Sequence, residues 1–181
     1  TGEIKMKMEA FDIVSLIEET VEQIEPIALS KKIDVLVVKK DWKSVIVLAD
    51  YYRIFQVLKN LLSNAIKYSK NNSTIEIQIE KRKKVVNLSV VDSGIGIPKN
   101  DRKRIFERFY RIDKSRSKKK GGTGLGLAIV KHIIEGHKTK IKLKSKINHG
   151  SRFSFNLKLA PNKKRKKKSL RKILRKQEVA P

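Results

Sequence analysis

The stretch QVLKNLLSNAIKYS, residues 56–69, combines a helical pattern with two polar residues that a packed helix seldom carries. Its Leu, Ala and Ile residues recur at the three- and four-residue spacing of an amphipathic helix. Asn60 and Asn64 are four residues apart, so their amides share one helix face. Asparagine is a poor helix former, and its neutral oxygen can bind Mg²⁺ beside a polyphosphate without adding charge. Taken alone, the pair is equally compatible with a solvated polar stripe.

The composition predicts one globular domain with a sizeable core. The chain has 181 residues, of which 39% are hydrophobic and none is cysteine. The lack of cysteine excludes disulfides, thiolate metal sites and cysteine nucleophiles, and it is compatible with a reducing cytoplasm. No apolar run is long enough to cross a bilayer and no signal peptide opens the sequence, so we expect a cytoplasmic domain.

The charge is strongly basic, because 44 Lys and Arg face 18 Asp and Glu, a formal net charge of +26. Residues 161–181 hold ten of these bases and one acid, and the rest of the excess is spread along the chain. Such a charge attracts polyanions in general, including nucleic acid, anionic lipid and nucleotide phosphates. It carries no information about the fold.

Hydrophobic periodicity predicts four helices and seven strands. The helices cover about residues 13–30, 51–69, 101–109 and 125–136. The strands cover about residues 6–11, 33–38, 44–48, 74–80, 85–91, 140–144 and 151–159. The fourth and fifth strands are joined by a short turn and predict a β-hairpin. This order predicts an α+β sandwich with one sheet and helices on one face.

The sequence DSGIGIP, residues 92–98, directly follows a strongly patterned strand. A carboxylate at a strand end, here Asp92, can accept a hydrogen bond from an amine such as that of adenine. Gly94 and Gly96 let the backbone approach a flat ring closely. The same residues are also ordinary turn formers, and alone the motif favours that interpretation.

The sequence GGTGLGL, residues 121–127, opens a predicted helix. Backbone N–H groups at a helix start are unpaired, which suits phosphate oxygens. The glycine spacing and the preceding loop do not fit a Rossmann fingerprint, and no Gly-Lys-Ser/Thr follows as a P-loop requires. The two commonest nucleotide-binding folds are therefore excluded.

Five motifs occur in one order along the chain, at residues 60–64, 92–96, 106–110 (FERFY), 122–127 and 150–153 (GSRF). Together they resemble the N, G1, F, G2 and terminal glycine boxes of the catalytic, ATP-binding domain of sensor histidine kinases. That domain belongs to the superfamily that includes gyrase B, the Hsp90 chaperones and MutL. The resemblance covers about residues 1–160. It implies a two-layer, Bergerat-type ATP-binding fold with a mixed sheet and a flexible ATP lid at about residues 110–122.

The resemblance also implies the ligands, ATP and Mg²⁺, and a role for each matching residue. Asn64 would bind Mg²⁺, and Asn60 would lie beside the phosphates and orient the transferred group. Lys67 would supply a positive charge to phosphate, and Asp92 would accept from adenine N6. The other implied nucleotide-binding positions are Tyr68, Gly94, Gly96, Ile97, Gly122, Thr123, Gly124, Leu125, Gly126, Leu127 and Ser151.

Arg111, just after the FERFY motif, resembles an arginine that reaches the γ-phosphate in some members of the family. The resemblance thus implies two catalytic residues, Asn60 and Arg111. Phe106 and Phe109 are expected to anchor the start of the lid in the core. Phosphoryl transfer depends mainly on positioning and charge neutralisation, so amides, Mg²⁺ and a cation suffice.

No histidine of this chain matches the phosphoacceptor of sensor kinases, which is typically followed by Glu or Asp. His132, His137 and His149 precede Ile, Lys and Gly, so we expect them to be structural or solvated. We therefore expect the phosphoacceptor and dimerisation domain to precede this chain and a response regulator receiver domain to be a further partner. The isolated chain is expected to be monomeric.

Two departures from the family pattern stand out. Lys138 and Thr139 replace the glycine pair that usually ends the last helix, and a left-handed helix stop is costlier without glycine. Lysines also alternate along the following strand, which is unfavourable unless that face is exposed. They are Lys138, Lys140, Lys142, Lys144 and Lys146.

Residues 161–181 form a polybasic tail with a small apolar stripe at Leu170, Ile173 and Leu174. We expect the tail to be either a solvated, disordered terminus or an amphipathic helix that contacts an anionic membrane. Nonspecific contact with nucleic-acid phosphates is a further alternative, and no specific nucleic acid is expected. The full-length protein is expected at the inner face of the cell membrane.

Two other function classes remain open at this point. One is a non-kinase ATPase of the same superfamily, whose members usually carry an acidic catalytic residue where this chain has Lys59 and Asn60. The other is a basic binding module with a degenerate pocket. The intact motifs argue against the second alternative.

Overall fold

The computed structural model describes residues 5–40, 43–112 and 123–161. Within these ranges no helix is long and apolar enough to cross a lipid bilayer. In chain order the elements are β1 (Glu9–Asp12), α1 (Ile13–Leu29), β2 (Asp34–Val38), β3 (Ile46–Ala49), α2 (Tyr51–Tyr68), β4 (Thr74–Lys81), β5 (Val85–Asp92), a 3-10 turn (Arg104–Phe106), α3 (Gly126–Gly136), β6 (Lys142–Lys146) and β7 (Gly150–Leu159).

The strands form one mixed sheet in the order β1-β3-β7-β5-β4-β2, and β6 also pairs with β7. The predicted hairpin of β4 and β5 is present, and β5 pairs with β7 on its other side. β2 and β3 follow each other in sequence but do not pair. β2 runs parallel to β4 at one edge, whereas β3 lies between β1 and β7. This separation reflects pairing between distant segments, which local patterning does not specify.

One face of the sheet is apolar and the other is polar. In β4, Ile75, Ile77 and Ile79 are buried. Glu76 and Gln78 lie between them on the opposite face, as the two-residue period of a strand requires. The helices contribute their apolar faces to the same core. In α2 these are the leucines and isoleucines of the amphipathic pattern. The predicted α+β sandwich, with a mixed sheet and helices on one face, is therefore confirmed.

α2 is held at both ends by other parts of the chain. At its start, the Asp50 carboxylate caps the first turn, and the Asp50 N–H donates to Nε2 of His137 at 2.9 Å. At its end, Nζ of Lys31 donates to the backbone oxygens of Ile66 and Ser69. A cation at this position complements the partial negative charge of a helix C-terminus. The orientation of α2 in the fold is thus fixed independently of any ligand.

The predicted helix at residues 101–109 is wrong, because only Arg104–Phe106 forms a 3-10 turn. Phe109 has a φ of 62°, a left-handed conformation that a right-handed helix cannot continue through. Its N–H donates to the Gly124 oxygen at 3.0 Å instead of to the preceding turn. A contact with a segment 15 residues away therefore overrides the local helical pattern.

The lysines of β6 are exposed on the polar face of the sheet, so their like charges remain hydrated. Their register places Lys142 opposite Ser154 and Lys144 opposite Arg152 on β7. β6 pairs only with β7 in the described sheet, and lysines on a strand with an open edge also discourage pairing with another chain. The expected condition for these alternating lysines, exposure of their face of the strand, is therefore met.

α3 ends in a Schellman motif even though the usual glycine is missing. Lys138 adopts φ 58°, its N–H donates to the Glu135 oxygen at 2.9 Å, and the Thr139 N–H donates to the Ile134 oxygen at 3.3 Å. This is the hydrogen-bond pattern of a left-handed helix stop. The substitution has therefore left the shape of the corner intact and placed a lysine in a strained conformation.

We expect Lys138→Gly to stabilise the protein by about 1 kcal/mol, because glycine removes the steric cost of the left-handed conformation. The free energy of unfolding from urea denaturation measures the effect. Lys138→Ala is the matched control, since it removes the charge but keeps the Cβ atom. Equal stability of the glycine and alanine variants would contradict the strain argument.

Candidate functional site

α2 places four of the predicted site residues along its length. Asn60, Asn64 and Lys67 are half-buried, and Tyr68, at the end of the helix, is 40% exposed. At a rise of about 1.5 Å per residue, Asn60 and Tyr68 lie about 12 Å apart along the helix axis. The Lys67 ammonium stands over the Tyr68 ring, 5.4 Å from its centroid. α2 therefore connects two ends of one elongated site.

The first end lies where α2 meets the start of α3. The Asn60 amide nitrogen donates to the Gly126 oxygen at 3.4 Å. A Cβ atom at Gly126 would lie 3.6 Å from the Asn60 oxygen, an ordinary contact. Leu125, at the N-cap of α3, has no side chain that can accept a hydrogen bond, and its own N–H donates to Thr123 Oγ1 at 3.4 Å. The first turn of α3 therefore has no side-chain cap at its N-cap residue, and backbone N–H groups at such a helix start suit an anion.

Leu127 packs against the core as part of α3, so its role in this arrangement is to seat the helix. Gly122 lies outside the described residues. Most of the predicted lid, residues 110–122, lies outside them as well. Arg111 is described and half-buried, directly after Tyr110 at the start of that segment.

The two borders of the lid are joined at Phe109 and Gly124. Besides their hydrogen bond, the two backbones are so close that a Cβ atom at Gly124, which has φ +72°, would lie 3.0 Å from the Phe109 carbonyl carbon. Phe109 itself is 68% exposed, so the expectation that it anchors the lid in the core is wrong. Phe106 does pack inward, edge-on to Phe153 at a centroid distance of 6.3 Å. The backbone of Phe109, and not its ring, makes the anchor.

The second end of the site lies at the end of β5, where Asp92 stands opposite Ser151 of β7. The Asp92 carboxylate accepts hydrogen bonds from the backbone N–H of Gly94, at 2.8 Å, and from that of Ser151. Burial raises the pKa of Asp92 above its ordinary value of 3.8, although these hydrogen bonds offset part of the increase. A half-buried carboxylate of this kind has acceptor capacity left for an amine.

Three glycines allow the backbone to close tightly around Asp92. A Cβ atom at Gly94 would lie 2.6 Å from the Tyr68 carbonyl oxygen, which joins this loop to the end of α2. At Gly96, with φ +71°, a Cβ atom would overlap the backbone of Lys146. Chain packing therefore requires both glycines, and their expected close approach to a ligand ring stays a prediction. Gly150, with φ +93°, would overlap the backbone of Asp92 in the same way.

Ser145 and Gly150 belong to this end of the site and were not among the predicted site residues. Ser145 Oγ accepts from the N–H of Ile97 at 2.8 Å and lies 3.0 Å from Ser151 Oγ. One signal was available in the sequence. Ile141 and Leu143 project inward from the lysine-rich strand, and Ser145 continues that inward side with a polar residue. Its partners could not be identified without the register of β6 on β7.

Within the described part of the chain, no group of three or more His, Cys, Asp or Glu residues could hold a metal ion. Asn64 offers one neutral amide oxygen, half-buried on α2 between the two ends of the site.

Residues 49–161 match the family described as histidine kinase-, DNA gyrase B- and HSP90-like ATPase, and the chain belongs to this family. Related structures agree with the fold. The catalytic domain of the histidine kinase ThkA superposes with a TM-score of 0.74 at 34% identity, over 85% of this chain and 97% of that domain. Full-length ShkA, crystallised with AMPPNP, gives 0.77 at 27% identity, over 90% of this chain and 34% of ShkA.

The sensor-like histidine kinase SenX3 of Mycolicibacterium smegmatis is 39% identical over 150 residues, which is 83% of this chain and 38% of SenX3. The sensor histidine kinase WalK of Bacillus subtilis is 44% identical over 110 residues, covering 60% of this chain and 18% of WalK. The chain thus spans less than half the length of these relatives. It is the ATP-binding catalytic domain of a sensor histidine kinase.

The raised pKa of Asp92 predicts how pH acts on stability. A carboxyl group whose pKa is higher in the folded state stabilises the fold only while it is protonated, and this contribution is lost as pH rises through the folded-state pKa. We therefore expect the wild type to lose stability relative to Asp92→Asn as pH rises from 4 to 7, because only the wild type ionises at this position. The unfolding free energy of the variant minus that of the wild type should increase over this range. Urea denaturation of both proteins at several pH values measures the difference. A difference that does not change with pH would contradict the raised pKa.

Proposed function

We propose that this domain binds Mg-ATP in the elongated site along α2 and transfers the γ-phosphoryl group to a histidine of a separate domain. The observation that carries the proposal is a pair of contacts made by one helix, the first from the middle of α2 and the second from its C-terminal end. Asn60 meets the start of α3 at Gly126, and Tyr68 meets the Asp92 loop at Gly94. One rigid element thereby sets the distance between an acceptor suited to a base amine and helix donors suited to phosphate.

The base would lie at the Asp92 end. Asp92 accepts from backbone donors with part of its capacity, and the remainder would take the N6 amine of adenine. Gly94, Gly96 and Ile97 would form the loop around the base, with Ser151 and Tyr68 at its borders. Guanine presents an acceptor at the corresponding position, so the ionised carboxylate would repel it.

The phosphates would lie between Asn60 and the start of α3. Backbone N–H groups at Gly126 and Leu127 would donate to phosphate oxygens, with Thr123, Gly124 and Leu125 shaping the turn. Lys67 would add a positive charge beside the phosphates. Gly122 is assigned to this end of the site from the sequence motif alone. Mg²⁺, when bound by Asn64, would neutralise phosphate charge. These groups would position the phosphates and neutralise their charge, which is what phosphoryl transfer mainly requires.

We further assign Asn60 and Arg111 as catalytic residues, Asn60 from its position beside the α3 start and Arg111 from its position at the border of the lid. The described histidines do not suit the role of phosphoacceptor. His137 is buried, its Nδ1 lies 2.8 Å from the Ile133 oxygen and its Nε2 accepts from Asp50. His132 is exposed on α3, and His149 bonds the nearby Ile147 oxygen in a turn.

The phosphoacceptor would accordingly lie on a dimerisation domain outside this chain, and the phosphoryl group would pass on to a response regulator receiver domain. We propose residues 1–160 as the catalytic domain and 161–181 as a polybasic tail, either a solvated terminus or an amphipathic helix that contacts an anionic membrane. The full-length protein would lie at the inner face of the cell membrane. Residues 162–181 lie outside the described residues. The excised domain would be monomeric.

Calorimetric titration with ATP and with GTP, at moderately high salt, tests the nucleotide assignment. Salt matters because a chain of net charge +26 attracts any polyphosphate. We expect the wild type to prefer ATP and Asp92→Asn to bind ATP about tenfold or more weakly, because a hydrogen bond to a charged acceptor is lost. Equal affinity of the wild type for ATP and GTP would refute the adenine assignment.

Asn64→Ala tests the metal assignment and, with it, the transfer reaction. We expect the variant to lose the Mg²⁺-dependent part of its ATP affinity, and to lose phosphoryl transfer to a supplied phosphoacceptor domain, while it remains folded. Ser63→Ala, at the neighbouring exposed position of α2, is the matched control. Affinity that still responds to Mg²⁺ in Asn64→Ala would remove Asn64 from the metal site.

A further inference from the structure

Ser145 Oγ is the point at which three segments around Asp92 meet. It lies 2.8 Å from the Ile97 backbone nitrogen in the loop after β5, 2.9 Å from the Gly150 oxygen and 3.0 Å from Ser151 Oγ. All three contacts are within hydrogen-bond distance. One hydroxyl therefore connects β6 to the Asp92–Ile97 loop and to the start of β7.

The chemistry of these partners fixes the direction of each hydrogen bond. The Ile97 N–H can only donate and the Gly150 oxygen can only accept, so the single Ser145 hydrogen points to Gly150. The Ser145–Ser151 contact is then satisfied only if the Ser151 hydroxyl donates to Ser145. This assignment satisfies all three contacts at once, whereas the reverse direction would leave the Gly150 oxygen without this donor.

The direction matters because Ser151 stands opposite Asp92 in the β5–β7 register. Ser151 is only 7% exposed, so water has little access to its hydroxyl as an alternative partner. With its hydrogen turned toward Ser145, Ser151 Oγ presents only lone pairs to its other neighbours. The Asp92 carboxylate likewise only accepts. Two side chains at this end of the site, Asp92 and Ser151, therefore present acceptors.

We propose that Ser145 is a specificity-determining residue for adenine over guanine. It accepts the hydrogen of the Ser151 hydroxyl, so that the Ser151 oxygen can only accept a hydrogen bond from the base. This inference rests on the nucleotide function proposed above. Adenine offers an amine at the purine 6-position, and that amine is matched by acceptors. Guanine offers an oxygen there, which would need a donor. Ser145 acts through Ser151 and Ile97, and it is a positioning residue.

The test compares ATP and GTP affinities by calorimetry. Ser145→Ala removes the partner of the Ser151 hydroxyl, which can then rotate and donate to guanine. We expect the ratio of ATP to GTP affinity to fall by about tenfold, the equivalent of one hydrogen bond, while ATP affinity falls less. Ser154→Ala, on the same strand but on the polar face of the sheet, is the control and should keep the wild-type ratio. If the alanine variant does not fold, Ser145→Cys serves, because a thiol is a weak donor and acceptor.

The double variant Ser145→Ala/Ser151→Ala separates hydroxyl orientation from a displaced loop. With Ser151 truncated no donor remains, so we expect the preference for ATP to return. A Ser145→Ala protein that keeps the wild-type ratio would overturn the inference alone, as would a double variant that stays unselective. A wild-type protein that binds neither nucleotide would overturn the proposed function and this inference with it.

Discussion

The anchoring of α2 is the constraint on which the rest of the structure depends. The helix is capped at its start by Asp50 and tied there to His137 at the end of α3, and Lys31 binds its final carbonyl groups. Its leucines and isoleucines are buried against the sheet. With both ends fixed, the polar face of the helix keeps one orientation. Asn60 and Tyr68 can therefore reach different loops without any ligand to align them.

The Asp92 end of the site is built almost entirely by close backbone packing around one carboxylate. Gly94 and Gly150 allow neighbouring chain segments to approach Asp92 to distances that a Cβ atom would prevent. The resulting burial raises the pKa of Asp92, so ionisation of this carboxyl group disfavours the folded state. Ser145 completes this arrangement by joining the loop to the β6–β7 hairpin.

The lysines of β6 and the contacts of Ser145 lie on opposite sides of one strand. The lysines of β6 lie on the exposed polar face, whereas Ser145, at an inward position between Lys144 and Lys146, carries the contacts to the Asp92 loop. Alternation along one strand therefore keeps solvated charge and site geometry apart. Another lysine is accommodated at the end of α3. Lys138 has a strained, left-handed conformation there, and the hydrogen bonds that end the helix are still formed.

The sequence by itself determined most of the elements, the α+β class and the five motifs, because helical and strand periodicity and glycine spacing are local properties. Residue type and spacing marked Asn60, Asn64 and Asp92 as candidates, and the order of the five motifs, through the family resemblance, supplied their expected roles. Tertiary structure decided what depends on distant segments: the separation of β2 from β3, the unwinding of residues 101–109 by the Phe109–Gly124 contact, and the place of Ser145 beside Ile97 and Ser151. Each of these follows from hydrogen bonds between residues far apart in the chain. Their geometry exists only once the sheet has formed.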